Sequence, residues 1–291
     1  MEYTMLGGTG RKVSRLGFGG APAGLRNYLA EFDPDSAAAQ DAVISALQRA
    51  LELGVTYFDT APGYGQGAGE TLFGRALEGA GNEIFVASKY GFWQKGTLRQ
   101  SVEESLARLR RPRLDLLQLH GTSWTSEQVT EILRPGGLAD QMAALRDEGL
   151  IAALGFTSED NNDAVYALLR SGRFDVMQIC YNFVNQHPHD PRRPFGSMLE
   201  ANKAGLGIVT MRTTTSGVFQ RWMRLVRPDD DFNYIPALIA FVLSNPLVDV
   251  ALVGMRTVAE VEANVALADD QSARVDLAAV YNYFAAPDER Q

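Results

Sequence analysis

The 291-residue chain has a single cysteine, Cys180, so it can form no internal disulfide, which suits a reducing cytoplasm. It has three histidines. Two of them fall in His187-Pro188-His189-Asp190, where no cysteine or third histidine completes a zinc set. That stretch reads as a polar loop, and no metal site is expected. The longest apolar runs, such as Ile235–Leu243, fall far short of the roughly 20 residues that cross a bilayer. The first twenty residues lack a charged segment followed by an apolar stretch, so no signal peptide is read. Basic patches interleaved with aromatics are missing too. With 27 Lys and Arg against 35 Asp and Glu, the net charge is −8. Such a balance argues against nucleic acid and anionic membranes as partners. No linker, low-complexity tract or repeat divides the chain, which reads as one domain spanning residues 1–291. A Gly-x-Gly-x-x-Gly turn after the first strand is also lacking, and Gly17-Phe18-Gly19-Gly20 resembles it only superficially.

What the chain does have is regular alternation. A glycine-turned hairpin over residues 5–20 leads into a first strand at 16–19. Further short apolar runs follow at 56–59, 84–88, 114–119, 152–156, 176–181, 207–211 and 249–253. Strands apolar at consecutive positions suit a parallel sheet covered on both faces. Helical patterns lie between them, at 36–53, 69–77, 97–109, 138–148, 162–171, 194–203, 235–244 and 258–267. The helix at 97 opens on Thr97 with Gln100 three residues on, a capping-box pattern. Gly149 stands where the helix at 138–148 should stop. Eight strands alternating with eight helices make a (β/α)8 TIM barrel of the α/β class, here with an N-terminal β-hairpin and an apolar C-terminal helix at 277–284.

Asp59, Lys89 and His120 each end one of the successive apolar runs, and Tyr64 lies in the loop after Asp59. In a barrel these loops share the catalytic rim, so the four side chains should be neighbours. A phenol with a reference pKa of about 10 is a poor acid at neutral pH. A nearby ammonium favours the phenolate, and a carboxylate keeps the ammonium charged. Tyr64 then becomes general acid in a reduction and base in the reverse, with His120 orienting a carbonyl. Taken singly, each residue also has a mundane reading: a loop-capping Asp, a rim tyrosine, a solvated lysine, a satisfied interior histidine. Their coincidence at matching strand ends favours the catalytic one.

Order, context and residue types together resemble the aldo-keto reductase family over nearly the whole chain. The carrying segments are Leu6-Gly7-Gly8-Thr9-Gly10 through Gly20, Phe58-Asp59-Thr60-Ala61 through Gly65 with Gly69-Glu70 and Gly74, Ala87-Ser88-Lys89, Leu119-His120, Gly155-Phe156-Thr157-Ser158, and Val253-Gly254-Met255-Arg256-Thr257 to Asn264. The resemblance implies an NAD(P)H-dependent oxidoreductase that interconverts an aldehyde or ketone with an alcohol. It also implies that Asp59, Tyr64, Lys89 and His120 are catalytic. Cofactor contacts are then expected from Gly19, Gly20, Asp59, Thr157, Ser158, Gln178, Met211, Arg212, Thr213, Gly254, Arg256, Glu260 and Asn264. Glycines admit close backbone approach, Thr157, Ser158 and Gln178 suit a carboxamide, and the helix start after Gly254 suits a phosphate. Arg256 offers a fork for a 2′-phosphate, so NADP(H) is favoured over NAD(H). Ala21, Trp93 and Trp124 are expected to wall a pocket for a small-molecule carbonyl or alcohol.

Three positions depart from the family's usual pattern. Thr157-Ser158 replaces a frequent Ser-Asn. Met211-Arg212-Thr213 stands where an aromatic commonly covers the nicotinamide, a place the planar guanidinium of Arg212 can partly fill. Glu260 stands where a phosphate-binding Arg or Gln is frequent, which leaves NAD(H) open. Two other functions fit the same features. One is a non-enzymatic nucleotide-binding regulator, like the reductase-fold β subunits of potassium channels. The other is a barrel enzyme using Lys89 as a Schiff-base nucleophile, against which a neighbouring Asp59 argues, since it keeps the lysine charged.

Overall fold

A computed structural model describes residues 1–28, 30–189 and 195–279. A hairpin of β1 (Tyr3–Met5) and β2 (Lys12–Ser14) precedes eight parallel strands: β3 (Leu16–Gly19), β4 (Tyr57–Asp59), β5 (Phe85–Tyr90), β6 (Leu114–Leu119), β7 (Ile151–Ser158), β8 (Val176–Cys180), β9 (Gly207–Met211) and β10 (Val250–Gly254). They pair in sequence order, and β10 pairs with β3 to close the barrel. The expected (β/α)8 architecture and its hairpin are what the chain adopts.

The helices around the barrel are α1 (Ala21–Gly24), α2 (Ala37–Glu52), α3 (Ala68–Ala76), α4 (Leu98–Leu109), α5 (Ser126–Leu133), α6 (Leu138–Asp147), α7 (Asp163–Arg170), α8 (Ser197–Lys203), α9 (Val218–Val226), α10 (Ile235–Leu243) and α11 (Val258–Asp269). The capping box expected at α4 forms in full: Gln100 N donates to Thr97 Oγ1 and Thr97 N donates to Gln100 Oε1. Gly149, at φ +81, ends α6 as its position required. The sequence reading missed α1, α5 and α9. Helix α5 carried a legible signal, because Thr125 and Gln128 form the same reciprocal cap. Of the expected C-terminal helix, residues 277–279 are helical and 280–284 lie outside the described residues, as do Asp190 and Pro194.

Two apolar cores result. One fills the layer between strands and helices. The other lies inside the barrel, where Tyr57, Phe85, Leu116, Val176, Val209 and Val250 pack together with Leu6 and Val13 of the hairpin. The hairpin therefore plugs the lower end of the barrel. Arg11 fastens it, through an ion pair to Asp115 at 2.9 Å and hydrogen bonds to the Asn82 and Ile84 carbonyls. Side chains two positions apart on a strand share a face. One step above Tyr57, Ala87, Leu116 and Val176, the interior thus meets Asp59, Lys89, Gln118 and Gln178. The sequence turns polar at the level where the strands end.

Candidate active site

At this upper rim a cavity of about 210 Å³ opens, lined in part by Asp59, Tyr64, Lys89 and His120. Asp59 ends β4, Lys89 sits near the end of β5, and His120 directly follows β6. Tyr64 is delivered by the β4–α3 loop, whose turn is closed by Tyr64 N donating to Ala61 O and Gly69 N donating to Tyr64 O. Lys89 Nζ donates to Asp59 Oδ1 at 2.5 Å and to Thr60 O at 2.8 Å. The pair is sealed from solvent, with side chains 1% and 4% exposed. The same ammonium stands 5.1 Å from the centre of the Tyr64 ring. The His120 ring meets Tyr64 edge-on at 5.8 Å, and its other neighbour is Trp93 at 5.1 Å.

The electrostatics follow from burial against charge. Burial alone pushes the Lys89 amine down, but Asp59 and Tyr64 outweigh it and hold the ammonium above its ordinary range. Burial pushes Asp59 up, opposed by Lys89, Gln118 and Gln178. For Tyr64 burial is the largest effect and the net direction is upward, although Lys89 pulls the phenol down. The sequence expectation of a lowered phenol therefore needs correction: Lys89 limits the rise rather than reversing it, because the ring is taken out of water. His120 is driven down to about 3, first by burial and then by Lys89. It is a neutral imidazole at neutral pH, able to donate one hydrogen bond without carrying charge. A protonated phenol beside a fixed cation and a neutral imidazole can give a proton to an oxygen placed between them.

The other expected residues divide. Gly19, Gly20, Ala21, Thr157, Gln178, Met211, Arg212, Thr213 and Gly254 line the cavity. Gln178 Oε1 and Thr213 Oγ1 are buried there without a protein partner. Thr157 is committed elsewhere: its hydroxyl donates to Gly121 O at 2.7 Å and accepts from Gly121 N at 2.9 Å, which pins the turn carrying His120. Gly20 owes its lack of a side chain to the protein, since a Cβ there would stand 2.7 Å from Asp59 O and 2.8 Å from the Phe73 ring. Ser158 is buried off the cavity and accepts from Asp160 N. Trp124 is also away from it, 2% exposed, with its indole N–H on Thr157 O at 2.8 Å. Trp93 is 62% exposed and covers the outer side of His120.

Arg256 precedes α11, Glu260 lies in its first turn and Asn264 in its middle, and all three are outside the cavity lining. The Arg256 guanidinium lies 4.5 Å over the Phe32 ring. Glu260 Oε2 accepts from Arg256 N at 2.6 Å and Thr257 N at 3.1 Å, so two of the N–H groups expected to face a phosphate are already capped. His187 Nε2 lies 3.1 Å from Glu159 O, and His189 Nδ1 lies 2.9 Å from Asn245 Nδ2, so each ring sits in a loop contact.

Sequence reasoning missed Gln118, Glu159 and Tyr28. Gln118 was findable, standing two positions before His120 on the face that carries Leu116. Glu159 Oε1 and Arg212 Nη2 form an ion pair at 2.6 Å, joining the ends of β7 and β9, and both residues line the cavity. Arg212 takes a left-handed φ of +57, and its carbonyl accepts from Asn182 Nδ2 at 3.0 Å. No spacing rule announces that pair. Tyr28 also lines the cavity, brought in by the loop after α1.

Fold and site together define a (β/α)8 barrel with a polar cavity at the rim where its strands end. The model of the aldo/keto reductase family matches residues 15–236, and the chain belongs to that family. L-galactose dehydrogenase of Arabidopsis thaliana is 27% identical over 297 residues, covering 91% of this chain and 88% of that protein. An NADH-specific methylglyoxal reductase of Escherichia coli is 29% identical over 212 residues, covering 64% and 60%. Among solved structures, an aldo/keto reductase of Klebsiella pneumoniae in complex with NADP and acetate superimposes with a TM-score of 0.75 at 21% identity, covering 100% and 98% of the two chains. Among the described residues no helix is long and apolar enough to cross a membrane.

Proposed function

We propose that this protein, acting as a single barrel domain, reduces an aldehyde or ketone to an alcohol with a nicotinamide cofactor, and runs the reverse reaction as pH rises. The observation that carries this is the sealed Lys89–Asp59 pair beneath a phenol and a neutral imidazole that share one cavity. Tyr64 gives its proton to the carbonyl oxygen, and His120 orients that oxygen by a hydrogen bond. Lys89 stabilises the phenolate that the departing proton leaves behind, and Asp59 keeps Lys89 an ammonium. The bound cofactor supplies the hydride. The unpartnered Gln178 Oε1 and Thr213 Oγ1 at the cavity wall fit its carboxamide, with Arg212 beside them.

NADP(H) is favoured over NAD(H) by the Arg256 guanidinium at the start of α11, and the NADP held by the Klebsiella structure agrees with that preference. The NADH-specific Escherichia coli relative shows that a protein similar to this chain can have the other preference. A single cysteine, buried, suits a cytoplasmic setting. The test is steady-state oxidation of NADPH and of NADH against a panel of aldehydes and ketones. Turnover that Tyr64→Phe removes supports the reading. Cofactor binding with no turnover of any carbonyl would replace it with a nucleotide-binding regulator.

A further inference from the structure

Gln118 is fully buried and takes no part in lining the cavity. Its place on β6 is an interior one, and the residue two steps below it, Leu116, is apolar. Its Oε1 is buried with no partner, a cost that a methionine of similar length would not carry. What the amide does is done by its other end. Gln118 Nε2 donates to Asp59 Oδ2 at 3.0 Å, while Lys89 occupies Asp59 Oδ1. Both carboxylate oxygens are thereby answered by donors from neighbouring strands.

We propose that Gln118 is a positioning residue that holds Asp59 ionised and aimed at Lys89, and through that pair sets the acidity of Tyr64. This rests on the carbonyl reduction proposed above. The titratable groups facing the phenol come from several elements. Asp59 comes from β4, Lys89 from β5, His120 from the end of β6 and Tyr28 from the loop after α1, with Arg212 and Glu159 across the cavity. Tyr57 lies one layer below, under the influence of Asp59 and Asp115. Without the Gln118 N–H, Asp59 Oδ2 would lose its hydrogen-bond donor in a buried site. One response is transfer of a proton from Lys89 Nζ to Asp59: an N–H bond breaks, an O–H bond forms, both groups become neutral, and the cation beside Tyr64 disappears. The other is a carboxylate that stays charged with one oxygen less shielded. Either change disfavours the phenolate.

The test compares pH–rate profiles for alcohol oxidation in wild type, Gln118→Met and Gln118→Glu, with NADP binding measured on each protein and Tyr64→Phe as the inactive control. Gln118→Met should move the rising limb up by about one pH unit, so that the rate below that limb falls about tenfold. The dissociation constant for NADP should stay within about twofold of wild type, because Gln118 lies off the cavity. Gln118→Glu offers a proton to Asp59 only while neutral, so its limb should move up as well and its loss should deepen as pH rises. If Gln118→Met does not fold, the isosteric Gln118→Glu decides alone. Profiles that superimpose on wild type, with Tyr64→Phe inactive, overturn the positioning role and leave the reductase reading standing. A wild type that oxidises or reduces nothing overturns both.

Discussion

From β4 to β6 the rim closes on itself, whereas from β9 to α11 it stays open. In the first region Asp59 and Lys89 are sealed, and each finds its partners inside the protein. In the second, Arg212, Thr215 and Ser216 take left-handed backbone angles, while buried oxygens without a protein partner occur on both sides, at Thr60 and Gln118 as well as Thr213. Left-handed conformations at residues with a Cβ carry strain that the surroundings must hold in place. The contrast has a chemical sense. A proton donor works when its surroundings are fixed before the substrate arrives. A binding surface for a large ligand leaves its polar groups to be completed by that ligand.

Breaking the closed side should have the largest effect. Tyr64→Phe should lower kcat for carbonyl reduction by about 10²–10⁴-fold, the usual worth of general acid catalysis, with cofactor binding nearly intact. Rapid-mixing rates and a fluorescence titration on one preparation check both halves. Retention of half the wild-type rate would remove the phenol from the mechanism.

On the open side the effects should be smaller and fall on binding. Arg256→Ala should weaken NADPH about tenfold and NADH hardly at all, because only NADPH carries the 2′-phosphate that a guanidinium pairs with. Titration of both cofactors decides this, and equal losses would point to a general disturbance of the α11 start. A wild type that binds NADH more tightly would show that the carboxylate of Glu260 outweighs Arg256. Glu159→Gln should change cofactor affinity by no more than about fivefold. Its pair with Arg212 is partly exposed, and such pairs contribute roughly 0–1 kcal/mol. A hundredfold change would make that pair a principal clamp.

The same divide marks what was legible in the sequence. The barrel was readable because its strands are short apolar runs and its helices carry caps at the expected positions. The residues of the closed side were readable too, since Asp59, Lys89 and His120 stand where polar chemistry ends an apolar run. Gln118 belonged to that pattern but was hidden inside its run, and only the two-residue period of the strand marks it as facing Asp59. The rest of the rim was less readable because its contacts are made across the chain. Thr157 looked like a ligand group, yet its hydroxyl is spent on Gly121. Trp124 looked like a pocket wall, yet it packs beneath the rim with its N–H on Thr157. Glu260 looked like a hindrance to phosphate, yet its carboxylate caps α11. Hydrogen bonds between residues far apart in sequence leave no local trace. Helix α9 has no buried residue, and its Phe219 packs edge-on against Phe183 and Tyr234.

The proposed mechanism turns on a buried ammonium that limits how far burial raises the Tyr64 phenol. The most direct measurement is the pH dependence of alcohol oxidation in wild type and Lys89→Met, under conditions where chemistry limits the rate. Burial pushes the phenol up and Lys89 pulls it down, so removing the ammonium should carry the rising limb to higher pH and lower the rate at neutral pH. An unchanged limb in an active, folded Lys89→Met protein would contradict the account.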